Sequence, residues 1–360
     1  MNWQDFRIQK RLNLNPQVIE EVYAILSEID GVRNSWYITG KLLPQTLERL
    51  TRSVIVTSTG SSNRIEGNRL TDVEVENLYK NLRVKKFKSR DEQEIAGYLQ
   101  CLERVFNSYQ YIPVTESSIL TLHHDMLIHS EKDMRHKGSY KFGSNRVEAK
   151  DQSGNIVGVI FEPTPPYLVK KEMQELIDWY GWALSTKAKH PLILIANFIF
   201  EYLAIHPFQD GNGRTSRLLT NLMLLQQGYL FTQVVSHERI VEANKVDYYL
   251  ALNKTQSTWK TDAEDISPWL VFFLNVIKSQ STQALKIIEG DNIEYLLSEK
   301  QLALWNWVIE RGSDFSRKDA VEALGFPERT IESIIKKLVD LKRLDRLAQG
   351  KATRYKLKTN

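Results

Sequence analysis

The stretch His206-Pro207-Phe208-Gln209-Asp210-Gly211-Asn212-Gly213-Arg214 interrupts two helical runs and packs an imidazole, a carboxylate, two glycines and a guanidinium into nine residues. Gly211 and Gly213 let the backbone come close to an oxygen-rich ligand. The helix expected to begin near Gly213 aims its first amide donors, and a partial positive charge, at the same place. Arg214 and Arg217 add charge-assisted contacts suited to phosphate oxygens. Asp210 is a hard oxygen donor of the kind that holds a phosphate-bound magnesium ion, and His206 can act as a general base near neutral pH. The same residues also spell an ordinary turn, with His206 as a helix C-cap. A P-loop is excluded, because its glycine-to-lysine spacing and its lysine are absent.

Taken whole, HPFQDGNGRTSR, His206 to Arg217, resembles the active-site motif of Fic-domain proteins, HPFx(D/E)GNGRxxR. The resemblance implies a mainly α, helical Fic fold and transfer of AMP from ATP to a Ser, Thr or Tyr hydroxyl on a protein target, the chain itself being one candidate. Carried over residue by residue, His206 would deprotonate the hydroxyl and Asp210 would hold magnesium across the α- and β-phosphates. Phe208 would anchor the loop in the core. Gly211, Asn212 and Gly213 would form the anion cradle, Arg214 would grip the β-phosphate and Arg217 the γ-phosphate. The segment Tyr248-Tyr249-Leu250-Ala251-Leu252 resembles the family's nucleotide-side segment, and a hairpin ending at Thr164-Pro165-Pro166 resembles its target-positioning flap. A phosphorylating subclass carries lysine at the second motif glycine; Gly213 is retained here, which favours nucleotidyl transfer.

Upstream, Ser62-Asn63-Arg64-Ile65-Glu66-Gly67 resembles (S/T)xxxE(G/N), the inhibitory signature of Fic proteins whose regulatory helix precedes the core. By itself the segment also reads as a Ser-capped turn with an exposed glutamate. Together with Arg217 it implies a brake: Glu66, with Ser62 in the same motif, would pair bidentately with Arg217 and remove the partner of the γ-phosphate.

The 360 residues make room for two or three folded units. Hydrophobic residues at 42% and charged residues at 26% match a globular chain. The net charge of +4 is unevenly spread: Leu297 to Asn360 holds 14 Lys and Arg against 9 Asp and Glu, while the remainder is close to neutral. The longest uncharged stretch, Leu218 to Ser236, is interrupted by polar residues and falls short of the roughly 18 apolar residues a spanning helix needs, so no membrane partner is expected. The N-terminus MNWQDFRIQKR lacks a secretory apolar run. A single cysteine, Cys101, excludes an intramolecular disulfide framework and fits a reducing, cytoplasmic location.

Periodicity predicts helices over Gln17 to Ile29, Lys41 to Thr57, Asp72 to Lys80 and Glu92 to Tyr109, with GSSN and EGN as turns between the second and third. A β-hairpin flap is expected between Gly138 and Pro166, from RVEA and NIVGVIFE around the turn Asp151 to Asn155. Helix resumes from Leu168 to about Ile277, broken near Lys187 to Pro191 and at His206 to Arg214. The C-terminal pattern, helices Gln301 to Arg311, Arg317 to Leu324 and Thr330 to Leu341 with a hairpin around Gly350-Lys351, predicts a winged helix-turn-helix. The expected organisation is an N-terminal helical region over 1–110, a Fic catalytic core over 111–285 and a winged-helix domain over 297–360.

His123, His124, Asp125 and His129 diverge around a helix and do not make a metal site. The run Arg83 to Arg90 reads as solvated surface and Cys101 as a core residue. Three functions stay open: an autoinhibited AMP-transferase, which the intact motif favours; a DNA-binding regulator whose Fic core senses nucleotide; and a hydrolase that removes AMP from a modified protein. The tail would meet either DNA, through Arg329, Lys336, Lys337, Lys351 and Arg354, or a docking protein.

Overall fold

The computed structural model describes residues 2–39, 44–82, 87, 89–145, 147–150, 156–289, 297–341, 343–347 and 353–358. The chain divides into two units, Met1–Lys41 with Leu50–Leu285, and Leu42–Arg49 with Lys286–Asn360. The first takes in both the N-terminal helical region and the expected core. Its helices are α1 (Arg7–Lys10), α2 (Pro16–Thr39), α3 (Pro44–Ile65, the part from Leu50 on), α4 (Asp72–Lys80), α5 (Arg90–Ser108) and α6 (Glu116–Met126). A two-stranded antiparallel hairpin, β1 (Val147–Lys150) with β2 (Ile156–Phe161), precedes α7 (Pro166–Ser185), α8 (Pro191–Ile205) and α9 (Asn212–Gln226). Then come α10 (His237–Ala243), α11 (Lys245–Gln256) and α12 (Ser267–Glu289).

The apolar helix α8 is buried on all sides, as its composition requires. Its Asn197 and Glu201 side chains are satisfied: Arg11 Nε donates to Asn197 Oδ1 at 2.6 Å, and Arg7 and Arg11 both pair with Glu201. Helices α5 and α6 cross so closely that a Cβ on Gly97 would lie 2.0 Å from the Met126 carbonyl, so only glycine fits there. Cys101 is buried at this crossing, with Sγ on the Leu122 carbonyl. No helix among the described residues is long and apolar enough to cross a membrane.

Two helices run further than the sequence pattern predicts. Helix α2 continues through Asp30-Gly31 to Thr39, where the pattern stops at Ile29. Helix α3 continues through the expected GSSN turn to Ile65. Burial outweighs local propensity there: Ser58, Thr59, Ser61, Ser62 and Asn63 are buried, and their small side chains admit close helix packing. Helix α3 ends instead at Ile65, just before Gly67, whose φ is +98°.

The second unit holds α13 (Glu299–Arg311), α14 (Arg317–Leu324), α15 (Glu328–Asp340), β3 (Leu344–Arg346) and β4 (Tyr355–Leu357) around Leu304, Phe315, Ile331, Ile334 and Leu338. Ser316 and Asp319 form a capping box at the start of α14. Strands β3 and β4 pair antiparallel, Leu344 opposite Leu357, and Phe315 bridges to Tyr355 on the other side. The expected turns Asp151 to Asn155 and Gly350-Lys351, and Arg83–Lys86 with Lys88 of the basic run, lie outside the described residues.

Candidate active site

Helix α8 ends at His206, which takes the left-handed conformation (φ +52°, ψ +62°), a strain of roughly 1–2 kcal/mol for a non-glycine residue. It turns the chain out of α8 and into the loop, so the C-cap reading and the functional reading of this residue coexist. Its Nδ1 lies 3.2 Å from the Leu203 carbonyl. Burial lowers its pKa to about 4, with the Lys141 ammonium pushing the same way, so the imidazole is neutral at physiological pH.

The loop is closed from inside. Phe208 is fully buried, and the His123 ring stacks on it at 3.6 Å and 3°. Asn212 Oδ1 accepts from the Phe208 amide and its Nδ2 donates to the Phe208 carbonyl, both at 2.8 Å. The Asn212 carboxamide is therefore used within the loop, and only its backbone faces the helix N-terminus. Gly211 caps α9 at φ +82°, with Met126 Cε 2.7 Å from where a Cβ would stand. A side chain is excluded there on both counts.

Four charged groups meet at the start of α9. Asp210 Oδ1 accepts from its neighbour's amide, Gly211, at 2.6 Å and faces Arg214 Nη2 at 3.3 Å; Asp210 Oδ2 faces Arg90 at 3.5 Å. Although burial opposes it, Arg214, the Gly211 amide and Arg90 hold the Asp210 carboxyl below its usual range. Glu94 bridges Arg90 at 2.7 Å and Arg214 at 3.5 Å.

Arg217 Nε donates to Ser62 Oγ at 2.8 Å, and its Nη2 donates to the Ser62 carbonyl at 2.9 Å and to Glu66 Oε1 at 2.8 Å. Glu66 thus holds Arg217 through one oxygen rather than the expected bidentate pair, while Ser62 occupies Nε. A Cβ on Gly213 would lie 2.2 Å from Glu66 Oε1, so the carboxylate covers the first turn of α9. Burial disfavours both charges, yet each outweighs that for the other: Arg217 holds the Glu66 pKa down and Glu66 holds the Arg217 pKa up. With 36% of the Glu66 side chain exposed, water screens part of that attraction.

Two buried guanidinium nitrogens around this point, Arg214 Nε and Arg217 Nη1, have no hydrogen-bond partner, and Arg214 Nη1 has only its long ion pair with Glu94. Tyr248 is buried beside Arg217 and meets Tyr249 edge-on at 5.1 Å, while Tyr249 is half exposed.

Residues 113–224 match the model of the Fic/DOC family. These residues are similar to a Fic domain. Protein adenylyltransferase Fic of Drosophila willistoni is 34% identical over 167 residues, covering 46% of this chain and 31% of that protein. The Nematostella vectensis protein of the same name is 26% identical over 263 residues, covering 71% and 55%. The chain therefore spans less than two thirds of the length of these relatives. A Fic family protein from Desulfovibrio desulfuricans G20 shares the fold, with a TM-score of 0.63 and 23% identity over 97% of this chain and 98% of that one. Fic-1 (residues 134–508) of C. elegans aligns with a TM-score of 0.61 and 20% identity over 77% and 76%.

Glu66, Tyr248 and Tyr249 lie outside the matched span, and the tertiary fold brings Glu66 onto it. The loop also rests on residues that the motif does not name. His123 Nδ1 accepts from the Gly138 amide at 3.0 Å, so Nε2 carries the proton and donates to the Asp210 carbonyl at 3.0 Å. Lys141 and Asn145 bind the loop through its backbone carbonyls. The adjacent histidines were visible in the sequence but pointed to no role; Lys141 and Asn145 carried no periodic or motif signal.

Proposed function

We propose that the chain is a protein adenylyltransferase, restrained by Glu66, that transfers AMP from ATP to a Ser, Thr or Tyr hydroxyl of a protein target, itself included. The observation that supports this most is the group of unpartnered buried donors on Arg214 and Arg217 around the N-terminus of α9. Buried donors left unpaired cost free energy, and phosphate oxygens at a helix N-terminus would meet them. Gly213, bare beside Glu66 and Arg217, leaves room for those phosphates. On this reading Arg214 takes the β-phosphate and Arg217 the γ-phosphate once Glu66 leaves, with Tyr248 and Tyr249 on the nucleotide side.

The Asp210 carboxylate fits a magnesium site: a single hard oxygen donor, 35% exposed, beside the phosphate positions, with substrate oxygens and water to complete the shell. When bound there, the ion would neutralise charge on the phosphates. His206, held neutral by burial, accepts the hydroxyl proton. The target oxygen forms a bond to the α-phosphorus, the bond from that phosphorus to the β-phosphate oxygen breaks, and pyrophosphate leaves with the electron pair. Mass spectrometry of Glu66→Gly after incubation with ATP and magnesium tests this reading. Added AMP on the chain or on lysate proteins, absent in Glu66→Gly with His206→Ala, is expected; no AMP on any protein would refute it.

For the second unit we infer a winged helix-turn-helix that docks a protein. Of the cations expected to meet DNA, Lys337 donates to Gln301 Oε1 at 2.9 Å and Arg354 pairs with Asp314. At the start of α15, Arg317 pairs with Glu328 and Glu332, both well exposed. That acidic entry to the would-be recognition helix favours a protein partner over a phosphate backbone.

A further inference from the structure

Lys141 is buried to 4% exposure, and among the described residues no carboxylate pairs with it. A buried, unpaired ammonium is costly unless its donors are used. Here they are spent on the loop. Lys141 Nζ donates to the Ile205 carbonyl at 3.2 Å and to Asn145 Oδ1 at 2.7 Å, and the Lys141 amide donates to the Pro207 carbonyl at 2.9 Å. Asn145, oriented by that ammonium, donates Nδ2 to the His206 carbonyl at 3.3 Å and the Phe208 carbonyl at 2.7 Å. Four consecutive carbonyls, residues 205 to 208, are thus all met by two side chains and one amide from a segment that then leads into β1.

We propose that Lys141, acting through Asn145, is a positioning residue that holds His206 in its left-handed conformation and so aims its imidazole at the acceptor hydroxyl. A non-glycine residue stays in that conformation only when its surroundings over-determine it. Aligned carbonyls at the C-terminal end of α8 carry the negative end of the helix dipole, which is why a charged donor suits the place better than a neutral one. The other charges that act on it, Glu172 and Lys260, pair with each other at 2.6 Å. Burial accordingly lowers the Lys141 pKa to about 8.

The proposal rests on the transferase reading, so the test is run in the Glu66→Gly chain. Lys141→Met is expected to lower AMP incorporation at saturating ATP by about 10- to 100-fold, the scale of a loss of near-attack geometry. The Kd for ATP, measured by calorimetry, should stay within about twofold, because the phosphate donors lie on α9. Lys141→Arg should recover part of the rate. An unchanged rate in Lys141→Met, or ATP affinity falling in step with the rate, would overturn the proposal. If Lys141→Met loses cooperative melting, Asn145→Ala decides in its place, with the same outcomes. If the Glu66→Gly parent itself transfers no AMP, the transferase reading has failed. The crystal structure of Lys141→Met then gives the answer: His206 leaving positive φ supports the positioning role, and an unmoved His206 overturns it.

Discussion

Glu66 Oε1 and Arg217 Nη2 meet at 2.8 Å, joining the C-terminal end of α3 to α9 across 151 residues of sequence. The contact is one-sided. Ser62 holds two other hydrogen bonds to the same guanidinium, so Arg217 keeps its place when Glu66 is gone. The carboxylate also stands at the unfavourable, negative end of α3 and over the favourable end of α9.

Glu66→Gly should therefore raise AMP transfer by about tenfold or more, since it uncovers an anion site that is already assembled. In Glu66→Gly with Arg217→Ala most of that gain should vanish, giving a non-additive cycle. Transfer measured at saturating ATP in the four proteins decides it. Equal activity in wild type and Glu66→Gly, with a working acceptor, would remove the inhibitory role and leave that of His206 untouched.

Asp210→Ala should lose most of its activity, and raised magnesium should restore only part, because the carboxylate and not merely the ion is missing. Chelation of divalent ions by EDTA should abolish transfer by the Glu66→Gly chain. Full activity in EDTA would contradict the metal role of Asp210.

Acid should destabilise the fold through His123. Burial lowers its pKa to about 4, against about 6.5 in an unfolded chain. Between those values the unfolded state binds a proton that the folded state does not. Stability from this residue is thus full above about pH 6.5 and falls as pH drops toward about 4, by on the order of 3 kcal/mol. His206 and His237 are shifted in the same direction. Melting temperatures across that window should fall more gently in His123→Gln than in wild type, and parallel slopes would exclude His123 as a contributor.

The C-terminal unit should show weak or undetectable affinity for duplex DNA. If it does bind through phosphates, log K must fall by roughly 0.9 for each neutralised phosphate per tenfold rise in salt. A steep slope of that kind, lost in Arg329→Ala with Lys336→Ala, would replace the protein-docking role with a DNA-binding one.

At the helix ends, the sequence reading fell short in one physical respect. It ended α3 at Thr57 because Gly60, Ser61, Ser62 and Asn63 are turn formers taken alone, yet the same small side chains are buried and let α3 pack closely. Helix α2 passes Gly31 likewise. Both misses concern local propensity overruled by tertiary contact.

By itself, the amino-acid sequence set out the residue types of the loop from His206 to Arg217 and the helical character around it. Twelve residues at fixed spacing place the glycines, the carboxylate and both arginines on one turn and one helix start, and that depends on local geometry alone. Glu66 taken alone reads as an exposed turn residue, and only the resemblance pairs it with Arg217. Only the tertiary structure decided that Ser62 shares Arg217 with Glu66, that His123 braces Asp210 through a ring stacked on Phe208, and that Lys141 and Asn145 hold the carbonyls around His206. Those relations arise from burial and from contacts between residues 60 to 155 apart in the chain, where no periodicity or spacing carries the information.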